Sequence, residues 1–158
     1  LYLVGPNDES GMAGNVSAEF VRQIQSEIEH AGLSQQVTFT GQVDCPSDYL
    51  RASDIFVFPS RREGLPNALL EAMACGLPCL ASDLECHKDL VIPETDGLLF
   101  EQEKSAQLAM NLQRLLGSEK LRQKLGHNAR LKSLDIFSLE KVSNQYVFLY
   151  QSLLGVKR

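Results

Sequence analysis

The part of the sequence that most restricts the fold is a strand, a loop and a short helix between residues 55 and 82. Residues 55–58 form an unbroken apolar run, which is typical of a strand at the centre of a parallel sheet. Pro66 suits the first position of a helix and Gly76 the residue just beyond its end, so we predict a helix over residues 66–75. This joint predicts an α/β protein.

The predicted short helix carries a single charged side chain. Leu69, Ala72 and Met73 share one face by helical spacing, which leaves Glu71 as the only carboxylate in the helix. Helical side chains lean toward the N-terminus, so Glu71 is expected to point back toward the loop that contains Glu63. Two carboxylates would then flank one helix start.

The order of elements along the chain predicts a doubly wound parallel sheet with helices on both faces, followed by a helical C-terminal tail. A polar, glycine-containing loop is expected between the first strand and the first helix, and the buried stripe of that helix is expected to contain Phe20, Val21, Ile24 and Ile28. A turn is expected at Thr95-Asp96-Gly97, before the last strand. Ser118 and Ser138 are expected to cap the last two helices. The predicted strands cover residues 1–4, 37–40, 55–58, 79–82 and 98–100, and the predicted helices residues 17–31, 46–52, 66–75, 104–116, 119–131 and 139–154.

Composition is that of a globular domain. The 158 residues are one domain's length, with 44% hydrophobic and 22% charged residues and no apolar run long enough for a membrane span. The net charge of −5 argues against nucleic acid as a partner, because binding the phosphate backbone needs a basic surface. The chain begins at Leu1 inside what looks like a core strand, so we expect it to be a fragment of a longer protein.

Neither the cysteines nor the histidines have the spacing of a metal site or a disulfide framework, so reduced structural thiols are expected. His30 and His127 fall on predicted helices and are expected to be exposed, whereas His87 is expected in a loop where it could face a ligand. The residues concerned are Cys45, Cys75, Cys79, Cys86, His30, His87 and His127.

The helix start is the expected ligand site, because open parallel sheets bind ligands outside the carboxyl ends of their strands. Gly64 lets the backbone approach a ligand, Leu65 and Pro66 complete the loop, and free amides around Asn67 and Ala68 would point at an anion such as a diphosphate.

Carboxylates are poor phosphate ligands but good acceptors for sugar hydroxyls. We therefore expect Glu71 to bind a ribose diol and Glu63 the hydroxyls of a transferred sugar.

The residues around the two glutamates resemble the signature of retaining glycosyltransferases of family 4, the "group 1" class with the GT-B fold. In that family two glutamates separated by seven residues bind the donor, and Glu63 and Glu71 have that separation. The similarity also includes Phe58-Pro59-Ser60, Gly64-Leu65-Pro66-Asn67, Glu71-Ala72-Met73-Ala74 and Gly76-Leu77-Pro78.

The resemblance implies that residues 1–158 are the C-terminal nucleotide-sugar-binding domain of a hexosyltransferase, with Glu63 as its catalytic residue. The donor would be a nucleotide-diphospho-sugar and the acceptor a glycan or a lipid-linked glycan, as in polysaccharide biosynthesis. Gly41 and Val43 would contact the base through backbone atoms, and neither a cofactor nor a bound metal is implied.

The partner of this domain would be the missing N-terminal, acceptor-binding domain of the same protein. The fragment alone would then be inactive, with part of the apolar stripe over residues 142–154 exposed. The full-length enzyme would be cytoplasmic, and peripheral contact with the inner face of the membrane would come through the absent half.

Some family features differ in this chain. The family's diphosphate-binding arginine and lysine precede the strand that starts this chain, and only Arg61 and Arg62 lie near the motif. Where the family often has a glycine pair and then a glutamate, this chain has Glu85, Cys86 and Asp89, which predicts an altered sugar-facing loop.

Two alternatives stay open. A non-catalytic nucleotide-binding or assembly module would need Glu71 and the amides but not Glu63. A phosphorylase-like GT-B enzyme would need a lysine for a pyridoxal cofactor, and Lys88 stands in an acidic loop instead.

Overall fold

The structure is a computed structural model that describes residues 1–5 and 18–155. It divides into two units, Leu1–Pro46 and Ser47–Arg158. The predicted loop between the first strand and the first helix lies outside the described residues, as does the predicted helix start at Ser17.

The described part of the first unit contains two parallel strands and one helix. These are β1 (Tyr2–Val4), α1 (Ala18–His30) and β2 (Thr38–Gly41). Tyr2 lies opposite Thr38, and a register shift after Leu3 places Gly41 opposite Val4.

The predicted apolar stripe of α1 is only partly buried. Val21, Ile24 and Ile28 are half-buried, whereas Phe20 is 54% exposed, so the prediction that Phe20 is buried was wrong. His30 is exposed as predicted.

The second unit contains three parallel strands in the order β3-β4-β5, with helices before, between and after them. Val57 pairs with Leu80, and Leu80 pairs with Leu98. The elements are α2 (Pro46–Arg51), β3 (Phe56–Phe58), α3 (Asn67–Ala74), β4 (Cys79–Ser82), α4 (Glu85–Lys88), β5 (Leu98–Phe100), α5 (Ser105–Gly117), α6 (Glu119–Ile136) and α7 (Leu139–Leu153).

The central strand β4 is fully buried, and its alternating side chains face two different apolar clusters. Cys79 and Ala81 pack in one cluster with buried side chains of α3 and α6. Leu80 packs in the other with Leu115 of α5 and Leu125 of α6. Helices therefore cover both faces of this sheet, and each buried leucine stabilises it by about 1.5–3 kcal/mol.

The C-terminal end of α3 packs tightly on α6. Gly76 has a φ of 79°, which an L side chain rarely adopts, and a Cβ added to Gly126 would lie 2.1 Å from the Gly76 carbonyl oxygen. Arg130 donates a hydrogen bond to the Ala74 carbonyl oxygen at the end of α3. Glycine at position 126 is thus required by the packing of these two helices, whereas glycine at position 76 is favoured by its positive φ.

A buried ion pair fixes the turn before β5. Asp96 Oδ1 accepts a hydrogen bond of 2.6 Å from the Ile92 amide, and Lys132 Nζ lies 3.1 Å from Asp96 Oδ2. The same ammonium group donates to the Leu90 carbonyl oxygen at 2.6 Å. Lys132 therefore anchors the predicted turn at Asp96 to α6.

Parallel pairing and helices on both faces of the β4 sheet confirm the predicted fold class. The strands nevertheless form two sheets, β1-β2 and β3-β4-β5. Among residues 1–5 and 18–155, β1 pairs only with β2, and β3 pairs only with β4. The prediction that β3 lies at a sheet centre was wrong for the described residues, where β3 is a half-buried edge strand.

The caps of the last two helices were predicted, whereas two other helical features were not. Ser118 and Ser138 cap α6 and α7 as predicted, accepting hydrogen bonds from the Leu121 and Lys141 amides. However, α6 continues to Ile136, and the short helix α4 was not predicted.

Helix α7 has no buried residue, which confirms the expected exposure of its apolar stripe. Tyr146, Phe148, Leu149 and Leu153 are 49–74% exposed. Among residues 1–5 and 18–155, no helix has the length and apolar character that crossing a bilayer requires.

Candidate functional site

The start of α3 leaves one backbone amide unused. The Asn67 amide donates to the Leu65 carbonyl oxygen at 2.9 Å, and the Leu69 and Leu70 amides both donate to Pro66. The Ala68 amide has no partner in the described part of the chain. The expectation that both Asn67 and Ala68 offer free amides was therefore wrong for Asn67, whose N–H closes a tight turn ahead of the helix.

The loop before α3 faces open space. A Cβ added to Gly64 would meet nothing within 4 Å, and Leu65 is 68% exposed although it is a large apolar residue. Pro66 is buried and stands at the N-cap of α3, where no side chain caps the helix. A ligand could thus reach the backbone of this loop without displacing protein atoms.

Glu71 lies on the exposed side of α3. Leu69, Ala72 and Met73 are fully buried, which confirms the predicted apolar face, and Glu71 is exposed. Its carboxylate has no hydrogen-bond or ion-pair partner within residues 1–5 and 18–155. The predicted acceptor is therefore available to a ligand.

Glu63 is half-buried and held by a neighbouring hydroxyl. Ser60 Oγ donates to Glu63 Oε1 at 2.6 Å, while Ser82 Oγ donates to the Ser60 carbonyl oxygen at 2.6 Å. Ser60 follows β3 and Ser82 ends β4, so neighbouring parallel strands hold the carboxylate from their carboxyl ends. Neither serine was predicted as a site residue. Their positions at the ends of two predicted strands were a signal that could have identified them.

His87 lies beneath this group and not in a ligand-facing loop. It belongs to α4 and is fully buried, and its ring is tilted by 46° against the Phe58 ring with the ring centroids 5.2 Å apart. Its Nδ1 lies 2.8 Å from the Ser82 carbonyl oxygen, and its Nε2 has no hydrogen-bond partner among residues 1–5 and 18–155. The expectation that His87 could face a ligand from a loop was wrong, because Leu84 begins a helical turn there.

Gly41 and Val43 lie in the first unit, away from α3 in the chain. Gly41 ends β2 with a φ of 68°, and its carbonyl oxygen accepts hydrogen bonds from the Gly5 amide at 3.2 Å and from Thr40 Oγ1 at 2.9 Å. Val43 is half-buried. The backbone at Gly41 is therefore firmly held, and its role toward a base stays a prediction.

The structure has no candidate metal centre among the residues it describes, where no three His, Cys, Asp or Glu side chains cluster. All four cysteines are free. Burial, with Asp96 and Cys75 nearby, raises the pKa of the Cys79 thiol well above its usual range. This thiol is inert, since the thiolate is the reactive form.

Arg61 and Arg62 are exposed in the loop between β3 and Glu63. The Arg61 carbonyl oxygen accepts a hydrogen bond of 2.9 Å from Gln102 Nε2, which ties this loop to the segment after β5. A cleft of about 350 Å³ lies at the carboxyl ends of β3, β4 and β5. It is lined by Pro59, Ser60, Arg61, Ser82, Phe100, Gln102, Glu103, Lys104, Ser105 and Leu108.

Similarity to known proteins agrees with this geometry. The family model "Glycosyl transferases group 1" matches residues 4–132, which is most of the chain. The chain belongs to this family. It is 34% identical over 152 residues to an N,N'-diacetylbacillosaminyl-diphospho-undecaprenol alpha-1,3-N-acetylgalactosaminyltransferase of Campylobacter jejuni, covering 96% of this chain and 37% of that protein.

Two solved structures have the same fold. Sucrose-phosphate synthase of Thermosynechococcus elongatus superposes with a TM-score of 0.84 at 33% identity, over 99% of this chain and 39% of that protein. Anabaena HepE in complex with UDP superposes with a TM-score of 0.86 at 22% identity, over 96% of this chain and 40% of that protein. The HepE similarity shows the fold alone.

This chain spans 19–43% of the length of eight curated relatives that it matches. Its similarity therefore concerns one part of those proteins.

Proposed function

We propose that this chain is the C-terminal, donor-binding domain of a retaining glycosyltransferase. The enzyme would transfer a hexose-type sugar from a nucleotide-diphospho-sugar to a glycan or lipid-linked acceptor. Family membership and the name of the Campylobacter jejuni relative support this reaction class.

The observation that carries the proposal is the composition of the α3 start. Within nine residues it combines an exposed carboxylate at Glu71 with a held carboxylate at Glu63. Among the described residues, the Ala68 amide has no partner and Gly64 has no neighbour within 4 Å of an added Cβ. A site for phosphate alone would need only the amide and the space. Two carboxylates beside it favour a ligand that also carries hydroxyl groups.

Each group has a separate role in this proposal. The diphosphate would lie against the Gly64 backbone and the Ala68 amide, where the positive end of the α3 dipole favours an anion. Glu71 would accept hydrogen bonds from the ribose diol, and Glu63 from the hydroxyls of the transferred sugar.

The leaving diphosphate would be stabilised by helix amides and positive groups, without a metal or a cofactor. The family's basic residues for this purpose are expected in the part of the enzyme that precedes this chain. We therefore expect nucleotide binding to be independent of divalent cations.

The other half of the active site would come from an N-terminal domain of the same protein. Residues 1–158 alone would then transfer no sugar, because acceptor positioning and water exclusion each contribute orders of magnitude in rate. A cytoplasmic location, and peripheral membrane contact through that other half, belong to the same proposal.

Titration of the full-length protein with UDP, GDP and ADP in the presence of EDTA tests the proposal. We expect one nucleotide to bind without metal and Glu71→Gln to weaken its binding by about 1.5–3 kcal/mol. Glu29→Gln is the matched control, since Glu29 is also an exposed helical glutamate whose carboxylate has no partner among the described residues. It should bind like the wild type.

Turnover of sugar nucleotides completes the test. UDP-glucose, UDP-galactose, UDP-N-acetylglucosamine and GDP-mannose would be supplied to the full-length protein, and release of nucleoside diphosphate would be measured. Glu63→Gln should chiefly reduce turnover and leave nucleotide binding intact. Turnover of none of these donors, or nucleotide binding that requires magnesium or manganese, would contradict the proposal. Full activity of Glu63→Gln would contradict the role of Glu63, whereas nucleotide binding without turnover of any donor would favour a nucleotide-binding module without sugar chemistry.

A further inference from the structure

A line of hydrogen bonds runs from the buried interior to the Glu63 carboxylate. His87 Nδ1 lies 2.8 Å from the Ser82 carbonyl oxygen, Ser82 Oγ lies 2.6 Å from the Ser60 carbonyl oxygen, and Ser60 Oγ lies 2.6 Å from Glu63 Oε1. His87 and Ser82 are 0% and 1% exposed, so the inner part of the line is sealed from water.

The direction of each hydrogen bond follows from its acceptor. A carbonyl oxygen and an ionised carboxylate only accept, so His87, Ser82 and Ser60 must each donate toward the next residue. Ser60 has one hydroxyl hydrogen, and the 2.6 Å distance to Glu63 is shorter than its 3.3 Å distance to the Arg62 carbonyl oxygen. Ser60 therefore donates that hydrogen to the Glu63 carboxylate.

This arrangement restricts the rotation of the Glu63 carboxylate. Ser60 occupies Oε1, and the hydrogen bond from Ser82 fixes the backbone that carries the Ser60 hydroxyl. The carboxylate keeps its second oxygen, Oε2, for a further donor. Ser82 is anchored in turn because it ends the fully buried strand β4 and is bonded to His87.

We propose that Ser60 is a positioning residue for the transfer reaction. It orients the Glu63 carboxylate toward the donor sugar, and Ser82 and His87 fix its own position. The inference rests on the proposed function, in which Glu63 binds the hydroxyls of the transferred sugar. It assigns Ser60 no contact with the substrate.

The test uses the full-length protein and compares Ser60→Ala, Ser60→Val and Ser60→Thr. Threonine and valine have nearly the same shape, but only threonine keeps the hydroxyl. We expect kcat to fall about 10- to 100-fold in the alanine and valine variants, because small misplacements of a reacting group have effects of that size. The threonine variant should keep most of the wild-type kcat.

Nucleotide binding and thermal unfolding separate positioning from a general structural role. Ser60 acts only through Glu63 in this proposal, and Glu63 binds the sugar part of the donor. The affinity for UDP or GDP should therefore stay within about twofold of the wild type in all three variants. An equal loss of nucleotide affinity and kcat, or a matching fall in melting temperature, would overturn the proposal.

A double-mutant cycle gives the decisive comparison. Glu63→Ala removes the acceptor of the Ser60 hydrogen bond, so adding Ser60→Ala should change kcat no further if Ser60 acts through Glu63. If the double mutant instead shows the product of the two single-mutant losses in kcat, the positioning role is overturned while the proposed function stays intact. If Glu63→Ala itself has wild-type turnover, the role of Glu63 fails and this inference fails with it. If the wild type turns over no sugar nucleotide, the proposed function fails as well.

Discussion

The two ends of α3 (Asn67–Ala74) are built in opposite ways. At the C-terminal end, Gly76 and Gly126 allow a close approach of α3 and α6, and Arg130 caps the helix. At the N-terminal end, Gly64 has no neighbour within 4 Å of an added Cβ, and the Ala68 amide lacks a partner in the described residues.

The difference separates two reasons for a glycine. Gly126 is required by atoms of the protein itself, because any side chain would collide with the Gly76 backbone. Nothing in the described part of the chain requires glycine at Gly64. A donor that lies against that loop would supply a reason for glycine at this position.

The largest effect is expected for Gly126→Ala. Its Cβ would stand 2.1 Å from the Gly76 carbonyl oxygen, so α3 and α6 would have to separate. We expect a loss above about 4 kcal/mol in the free energy of unfolding, or no folded protein. Gly117→Ala is the matched control, since a Cβ at Gly117 meets nothing within 4 Å. Urea unfolding that places both variants near the wild type would refute the packing role of Gly126.

Lys132→Met should have the next largest effect. It leaves the Asp96 carboxylate, whose side chain is 4% exposed, without its cation. Removing one partner of a buried pair costs about 3–5 kcal/mol, and the Ile92 amide bonded to Asp96 favours the lower end of that range. Lys124→Met, which loses only a bond from an exposed ammonium to the Glu94 carbonyl oxygen, is the comparison. Urea unfolding in which the two variants lose equal stability would contradict the buried-pair assignment.

Gly64→Ala should change binding but not folding. The methyl group enters open space, so the free energy of unfolding should stay within about 0.5 kcal/mol of the wild type. If the donor occupies that space, the affinity of the full-length protein for its nucleoside diphosphate should fall about tenfold, which is 1.4 kcal/mol. Calorimetric titration measures this, and Gly117→Ala is again the control. Wild-type affinity in the Gly64 variant would break the contrast between the two ends of α3.

The smallest effect is expected at an exposed ion pair distant in sequence from α3. Arg114 donates two hydrogen bonds of 2.8 Å to Glu94, and this bonding lowers the pKa of the Glu94 carboxyl. A lowered folded-state pKa stabilises the protein above the ordinary carboxyl pKa, and this stability is lost as the pH falls through the folded value.

Arg114→Gln should therefore cost less than about 1 kcal/mol near neutral pH, because both partners are exposed. The difference from the wild type should vanish in acid, as measured by urea unfolding over a pH series. A stability difference between Arg114→Gln and the wild type that grows as the pH falls would contradict a lowered pKa of Glu94.

The sequence predicted the backbone of the site well. Pro66 and Gly76 placed α3 within one residue at each end, and the spacing of Leu69 and Met73 identified its buried face. Those signals are local, since a proline, a glycine with positive φ and a helical repeat each act within a few residues.

Long-range relations were not predictable in the same way. The link from Ser82 to Ser60 joins residues 22 positions apart, and the burial of His87 depends on how α4 packs. The use of the Asn67 amide depended on a turn geometry that the residue types alone do not specify. The edge position of β3 was missed because an apolar run does not identify which strands will pair beside it.

Hydrogen–deuterium exchange of the full-length protein, with and without UDP, GDP or ADP in EDTA, tests the central claim most directly. We predict that one of these nucleotides slows amide exchange in residues 63–71 and leaves residues 90–97 and 126–133 unchanged. Protection confined to other segments, or no protection of residues 63–71 by any of the three, would contradict the assignment of the α3 start as the donor site.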